Sequence, residues 1–365
     1  MPDIYLNVSV EGESVTHLLE QVEVEESDQR ASLATLTFLD RALVLTDVLH
    51  EGLTVEIDLG RQDAHAPLFR GPVTSARLDL PYRGPATVLI EAIDALVALG
   101  LKPKTKRWWN TTLAGIINEV AVANGMRPGR ISPRENPTFD ERSQVRQVEE
   151  TDLALLHRLA ADYDCKVFIE HGRGPGQLSF VSTGDLLAAS PVAEPLALNQ
   201  NLLAFSAAFE TFATGTEHRL VTTDPDTGAR VELSQTLATA ADASWTPDAS
   251  RVAALGDAAD VVVKLIAKGA PVRAKLADHW RTPERLVGAA ARTSANRAGV
   301  LGDRARRLGQ TATGVATGSV MLRPRNRVTV SGCGGRWSGD WYLATARHDV
   351  DVRARGYTTS FVARR

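Results

Sequence analysis

The amino-acid sequence predicts a β-rich α+β protein in which two strand-rich regions flank a smaller unit of helices and a β-hairpin. Three observations predict this class. Apolar and polar residues alternate with period two through most of the first hundred residues. Two amphipathic helical segments and a glycine-linked pair of strands follow between about residues 103 and 190. Alternating segments return after Pro195 and again in the last fifty residues.

The first predicted domain, residues 1–102, consists of strands. Segments 4–10 and 21–26 alternate most clearly, with apolar side chains on one face and polar side chains on the other. Further predicted strands, separated by turn residues, cover 34–40, 53–60, 73–79 and 87–94. Several short alternating strands with turns between them are typical of a small barrel or sandwich.

The second predicted domain, residues 103–190, combines helices with a hairpin. Thr111 or Thr112 is suited to cap a helix that runs through about Ala123 and ends at Asn124-Gly125. Thr151 is suited to cap a second helix. The apolar stripe predicted for this second helix consists of Leu153, Leu156, Leu159, Ala160 and Tyr163. Strands at 165–170 and 177–181 flank a glycine-rich turn and predict a hairpin.

The third predicted domain, residues 191–365, is again strand-rich and contains an alanine-rich helical insertion at about 240–318. Helical runs are predicted at 257–268 and 283–308 within this insertion. Before the insertion, the predicted strands cover 202–213, 218–223 and 230–233. Two strand-rich regions, each interrupted or followed by helical material, therefore describe the whole chain.

Composition excludes several classes of protein. The chain has 365 residues, of which 44% are hydrophobic and 23% are charged, as in ordinary globular proteins. No segment approaches the roughly 18 uninterrupted apolar residues of a membrane span. The N-terminus lacks the basic and apolar regions of a secretory signal.

Charge is distributed unevenly along the chain. Residues 271–365 contain 18 Lys and Arg against 6 Asp and Glu, a net charge of +12, and the remainder therefore carries −15 of the total of −3. This asymmetry is compatible with an uneven solvated surface or with ends that contact differently charged neighbours. Nucleic-acid binding is disfavoured, because the basic residues lack interleaved aromatic residues and any known motif.

No arrangement typical of catalysis or metal binding is present. The eight histidines form no HxH, HxxxH or HExxH spacing, and the chain has no GxSxG elbow, Walker loop or dinucleotide fingerprint. The glycine-rich segments 172–176 and 332–335 each link two strands, whereas phosphate-binding loops lead into a helix. Cys165 and Cys333 are predicted to be free thiols. We therefore predict no catalytic residue, no metal and no cofactor.

Three polar positions have structural interpretations. His157 is predicted to lie at the surface or at the edge of the core. His348 lies in an alternating segment, where a cross-strand partner is a better interpretation than a metal ligand. The pair Glu149-Glu150 precedes the second helix cap and is predicted to be surface charge.

Residues 147–168 read QVEETDLALLHRLAADYDCKVF. This segment resembles the E-(S/T)-D-x-x-F-L-x-R-L-A-x-x-x-G helix of the phage late-control D family. That family supplies baseplate hub proteins, and the hub part of type VI secretion VgrG spike proteins is similar to it.

A second resemblance lies near the C-terminus. Segments 322–332, 337–343, 347–350 and 356–361 resemble, in order, elements of the closing barrel of the same family. The resemblance covers most of the chain apart from about 240–315. Arg325-Asn326 stands where the family often has Pro-Gly, a departure that we expect to alter only a turn.

The resemblance implies two small hub-type β-barrel domains with helix-containing α/β insertions and no enzyme activity. It implies a homotrimer that forms a pseudo-sixfold ring between the hexameric tail tube and the trimeric spike of a contractile phage tail or contractile injection system. Implied partners are the tail tube protein, the spike protein and other baseplate or LysM-type tail proteins. Assembly is expected in the bacterial cytoplasm, followed by incorporation into the tail or the baseplate of an injection particle. The sequence does not separate an infectious phage from a domesticated injection system or tailocin.

The resemblance also bears on individual residues and on the end of the chain. Trp337, Trp341 and Tyr357 are predicted packing anchors of the last barrel, with core packing favoured over contact with a partner. The chain ends after the second barrel, so the spike tip is expected to be a separate polypeptide.

Two alternatives remain open from the residues. A tail-borne cell-wall hydrolase would need paired acids or a metal triad in a cleft. A carbohydrate-binding or nucleic-acid-binding module would need exposed aromatic platforms, and aromatic residues make up 5% of the chain.

Overall fold

The computed structural model describes residues 4–172, 174, 176–209, 217–223, 229–236, 248–268 and 310–365. Strands predominate over helices in these ranges, which confirms the predicted β-rich α+β class. The helix predicted at 283–308, most of the predicted insertion and the last residues of the strand predicted at 202–213 lie outside the described residues.

The N-terminal elements are β1 (Ile4–Val10), β2 (Glu13–Ser14), β3 (Leu19–Ser27), β4 (Leu33–Leu39), α1 (Leu45–Val48), β5 (Thr54–Arg61), β6 (Ala64–Asp79), β7 (Thr87–Ile93) and α2 (Leu96–Leu99). The elements that follow are β8 (Pro103–Trp108), β9 (Thr111–Thr112), α3 (Leu113–Ala123), β10 (Arg127–Ser132), β11 (Thr138–Phe139), β12 (Val145–Thr151), α4 (Asp152–Asp162), β13 (Cys165–Glu170), β14 (Gln177–Ser182) and α5 (Thr183–Ala188).

The C-terminal elements are β15 (Leu196–Ala197), β16 (Leu202–Phe209), β17 (Glu217–Thr223), β18 (Arg230–Thr236), α6 (Ala249–Ala253), β19 (Gln310–Thr317), β20 (Arg327–Ser331), β21 (Gly339–Asp351) and β22 (Gly356–Arg364). Residues 259–268 are also helical. Within the described ranges, no helix has both the length and the apolar character needed to cross a membrane.

The chain divides into two compact units. The first unit comprises Met1–Val192, Gly314–Arg327 and Leu343–Val362. The second unit comprises Ala193–Thr313, Val328–Tyr342 and Ala363–Arg365. The predicted domain boundaries near residues 102 and 190 stay a prediction.

The first unit is built on antiparallel strands in the order β21-β3-β4-β7-β6-β5-β1-β2. The long strand β6 pairs with β5 through its first part and with β7 through its second part. This order is an open path, and no closed barrel is detected among the described strands. The first half of β6 was not predicted, because Pro67 and Pro72 interrupt the strand pattern of the sequence.

Alternating burial along these strands forms the core of the first unit. The fully buried residues at the centre of this core include Val8, Val22, Val24, Leu36, Phe38, Val55, Ile57, Leu59, Val88 and Ile90. Burial of each such side chain contributes about 1.5–3 kcal/mol. The period-two pattern of the sequence therefore identifies the inward faces of these strands correctly.

The two longer helices of the first unit begin at the predicted caps. The Thr112 hydroxyl accepts a hydrogen bond from Gly115 N at 3.0 Å, and the Thr151 hydroxyl accepts one from Ala154 N at 3.2 Å. Strands β13 and β14 form the predicted hairpin, and β10 adds to β14 in parallel.

The buried face of α4 differs slightly from the predicted stripe. Leu156, Leu159 and Ala160 are buried as predicted, but Leu155 is buried while Leu153 is half-buried. Positions i, i+1, i+4 and i+5 lie on one face of a helix, so Leu155 belongs to the face of Leu156 and Leu159. His157 is exposed on the other side of the helix.

The second unit contains short described strand pairs. Strand β15 pairs in parallel with β20, and β17 pairs with β18 as an antiparallel hairpin. Residues 310–317 form β19, although they were predicted to end the helical insertion. Burial alternates along β19, but its alanine and glycine residues give that alternation little hydrophobic contrast in the sequence.

Candidate functional site

A buried ionic cluster lies within the first unit at the end of β3. The side chain of Glu26 is 1% exposed, and its carboxylate accepts hydrogen bonds from Arg323 Nη2 at 2.6 Å and from Arg323 Nε at 3.1 Å. Arg323 lies between β19 and β20 and is mostly buried. Two donors of one guanidinium on one carboxylate form a strong and directional contact.

Both members of this pair are held in their charged forms. Burial opposes ionisation of Glu26, but the positive charge and hydrogen bonds of Arg323 outweigh it and hold the pKa of Glu26 well below its ordinary value. Burial also opposes the charge of Arg323, but Glu26 holds the pKa of Arg323 above its ordinary value. Because Glu26 and Arg323 are the main counter-charges of one another, removal of either partner leaves the other charge buried without its main compensation.

Arg325 connects the same cluster to the hairpin β13–β14. Its Nη1 donates to the carbonyl oxygen of Ser27 at 3.2 Å, and its guanidinium carbon lies 4.1 Å from the ring centroid of Phe168. Its Nη2 lies 4.0 Å from Glu26 Oε1. The expectation that Arg325 alters only a turn is therefore wrong, since its side chain contacts two other segments of the first unit.

His348 lies on the other side of Glu26 and is completely buried. Its Nδ1 is hydrogen-bonded to the hydroxyls of Tyr357 and Thr359, at 2.8 and 3.2 Å. Its Nε2 lies 3.7 Å from Glu26 Oε2, which is too long for a hydrogen bond. The predicted cross-strand partner of His348 is confirmed, because Tyr357 and Thr359 lie on the neighbouring strand β22. Burial raises the pKa of Tyr357 above its ordinary value.

His171 follows β13 and packs against Phe69, with 5.8 Å between the ring centroids. Burial and the nearby charge of Arg323 lower the pKa of His171 to about 4. Its Nε2 is buried without a hydrogen-bond partner among the described residues. His171 is therefore neutral at pH 7.

A second buried ion pair completes the cluster. Lys166 Nζ lies 2.8 Å from Asp28 Oδ2, and both side chains are largely buried. The cluster thus joins β3, β13, β21, β22 and the segment around Arg323. Its charged side chains are paired with one another in the interior, so the cluster holds these segments together.

The sequence matches the phage tail baseplate hub family (GPD) over residues 29–353. The chain belongs to this family. The resemblance to this family is therefore confirmed. A comparison with curated proteins gives no match.

Solved structures of tail proteins share the fold of this hub protein. The tail protein from Neisseria meningitidis MC58 has a TM-score of 0.69 at 14% identity, with 100% of this chain and 97% of that chain covered. The 43 kDa tail protein of prophage MuSo2 from Shewanella oneidensis has a TM-score of 0.67 at 13% identity, with 99% and 98% covered. The E. coli type VI secretion component c3393 has a TM-score of 0.54 at 13% identity, with 99% and 76% covered.

The structure places the predicted anchor residues of the hub protein in two groups. In the second unit, fully buried Trp341 donates from Nε1 to the carbonyl oxygen of Trp337 at 3.0 Å and packs edge-to-face against Phe205. Trp337 is half-buried, with the Arg336 guanidinium over its ring. Tyr357 belongs to the first unit and contacts His348 there. The role of all three as anchors of the last barrel stays a prediction.

The ionic cluster was not predicted, although the sequence contains a signal for part of it. Glu26 lies on the same face of β3 as Val22 and Val24, so period two alone places a carboxylate among apolar side chains. His348 likewise shares a buried face with Ala346 and Val350. No comparable signal marks Arg323 in the sequence.

Proposed function

We propose that this hub protein assembles as a homotrimer into a pseudo-sixfold ring that joins a hexameric tail tube to a trimeric spike. The match to the baseplate hub family over residues 29–353 carries the proposal. Three copies that each contribute two similar strand-rich domains would present six similar surfaces to the tube and three to the spike.

Two solved structures support the choice of partners. The E. coli protein is described as a type VI secretion component with structural similarity to the bacteriophage T4 tail proteins gp27 and gp5. A VgrG protein of Francisella, solved in complex with PdpA, has a TM-score of 0.53 at 10% identity, and this chain covers 58% of it. We extend the proposal to a spike protein and LysM-type tail proteins as partners, and to assembly in the bacterial cytoplasm.

A ring component of this kind needs rigid subunits and contact area, and we propose no enzyme activity for it. The buried cluster around Glu26 supports this interpretation, because it ties strands from both ends of the sequence into one unit. Paired strands also leave fewer free edges on which subunits would aggregate.

The mass of the purified chain in solution tests the proposal. Light scattering behind a sizing column should give three times 39.3 kDa for the full chain, alone or with a co-expressed spike protein. Electron microscopy of the trimer with tube and spike proteins should then show the ring between them. A chain that stays monomeric at all concentrations and also ignores the co-expressed spike would contradict the proposal.

A further inference from the structure

Six large apolar side chains are exposed at one end of the sheet in the first unit. This group, called the sheet-end patch below, consists of Leu43, Val44, Val48, Leu78, Leu80 and Tyr82. Tyr82 is 90% exposed and Leu80 is 62% exposed. Contiguous exposed apolar surface on a soluble protein marks a contact with another molecule.

Strand register brings the two segments of the patch together. Leu39 at the end of β4 is opposite Thr87 of β7, and Thr87 is opposite Asp79 at the end of β6. The backbone N–H of Asp40 donates to the carbonyl oxygen of Ala86 at 2.9 Å. Residues 40–48 and 80–86 therefore leave the same end of the sheet, and α1 packs against β6.

The fold fixes these side chains in their exposed positions. The buried carboxylate of Asp40 accepts hydrogen bonds from Val44 N at 2.9 Å and from Thr46 N at 3.0 Å. Leu43, which lies between Asp40 and Val44 in the chain, has a left-handed backbone with a φ of 55°. That conformation is unfavourable for a leucine, and such strain is concentrated at functional positions. The loop is thus held in a defined shape that exposes its apolar side chains to solvent.

The area of the patch matches one face of a protein interface. A fully exposed Leu or Val offers on the order of 100 Å² of surface, and a tyrosine offers about 200 Å². The exposed fractions of the six side chains therefore amount to about 400 Å² of apolar surface. A standard interface buries about 800 Å² per partner, of which about 450 Å² is apolar. The patch therefore supplies roughly the apolar share of one such face.

Charge identifies the chemistry of the partner surface. Residues 40–48 and 77–83 together contain three arginines and three aspartates, so their net charge is zero. A neutral apolar surface fits a protein face of the same kind and does not fit a phosphate backbone. Most soluble oligomers are built from copies of one chain. We infer that the sheet-end patch is a contact surface between copies of this chain, an inference that rests on the proposed ring.

A double variant tests the inference. Leu80→Ser with Tyr82→Ser removes the two most exposed members of the patch, and Val122→Ser with Val148→Ser is the matched control. Both control residues are 66% exposed and lie elsewhere in the first unit. Light scattering over a range of concentrations should show that the patch variant needs at least about tenfold more protein to assemble, as expected when central interface residues are truncated. Circular dichroism and the melting temperature should match those of the unmodified chain.

The outcomes separate this inference from the proposed ring. If the unmodified chain and the patch variant form equally stable trimers, the inference is overturned and the ring stands. An unmodified chain that is monomeric both alone and with a co-expressed spike protein overturns self-contact altogether. A patch variant that trimerises but no longer binds a co-expressed spike or tube protein also overturns it, because the patch then contacts another protein. An oligomer other than a trimer that the patch variant dissociates supports the inference and contradicts the ring.

Discussion

Glu26 and Arg323 are 297 positions apart in the sequence, yet Oε1 of the one lies 2.6 Å from Nη2 of the other inside the first unit. We expect Glu26→Gln to lower the free energy of unfolding by about 3–5 kcal/mol, because the guanidinium of Arg323 loses its buried counter-charge. Urea denaturation measures this change. Glu25→Gln is the control, since Glu25 and Arg30 form an exposed pair at 3.4 Å whose loss should cost less than about 1 kcal/mol. Equal losses in the two variants would mean that the buried pair has no special role.

The lowered pKa of His171 predicts that the folded chain loses stability in mild acid. Its pKa is about 4 in the folded chain against an ordinary 6.5, so the unfolded chain binds the proton more tightly. The stability that neutral His171 contributes is present above pH 6.5 and falls as the pH drops towards 4, by about 3 kcal/mol in total.

Stability measured against pH checks this contribution. His171→Gln should flatten the curve between pH 6.5 and 4, whereas exposed His50→Gln should leave its shape unchanged. An unchanged curve for His171→Gln would show that other groups cause the acid sensitivity. Glu26 affects stability in a lower pH range. Because its pKa is depressed in the folded chain, its contribution to stability is lost only as the pH falls below about 4.5.

Gly318 lies directly against the ring of Tyr357. A methyl group at position 318 would overlap that ring, and Gly318 N also donates to the carbonyl oxygen of Tyr357 at 2.9 Å. We therefore expect Gly318→Ala to destabilise the chain by about 1–3 kcal/mol and to lower its melting temperature. Gly172→Ala is the control, because a methyl group there would meet no other atom. A Gly318→Ala variant as stable as the control would contradict the observed packing.

Trp341 offers a test of the predicted packing anchors. Trp341→Ala should lower the free energy of unfolding by about 3–5 kcal/mol, because the variant loses a fully buried aromatic side chain. Trp109→Ala, which removes a tryptophan that is 52% exposed, should cost much less. Denaturation followed by circular dichroism compares the two without relying on tryptophan fluorescence. If Trp341→Ala is as mild as the control, the second unit does not depend on this side chain.

Local features of this fold were predictable from the sequence, because their signals lie within a few residues of one another. The caps at Thr112 and Thr151 and the alternating strands of the first unit belong to this kind. Strand β19 was missed because its inward positions include small residues such as Ala312 and Ala316, which resemble the alanine-rich stretch before it.

The buried cluster shows what one sequence does not reveal. The carboxylate on the apolar face of β3 was visible in the pattern, but its partner is an arginine in a distant loop. Nothing local distinguishes Arg323 from nearby arginines such as Arg327. Pairing over such separations depends on the folded topology, which period and composition do not specify.

The pairing of β3 with β21 has a consequence for the synthesis of this chain. Strand β3 leaves the ribosome before its partner residues Thr345–Asp351, which follow more than 300 positions later in the chain. During translation one edge of β3 stays open, and contacts that close late in the sequence fold slowly. A nascent chain that stops before residue 345 cannot close this edge. The hub fold thereby makes closure of the β3 edge dependent on translation through residue 351, so chains that terminate before that residue are disfavoured as building blocks of a baseplate.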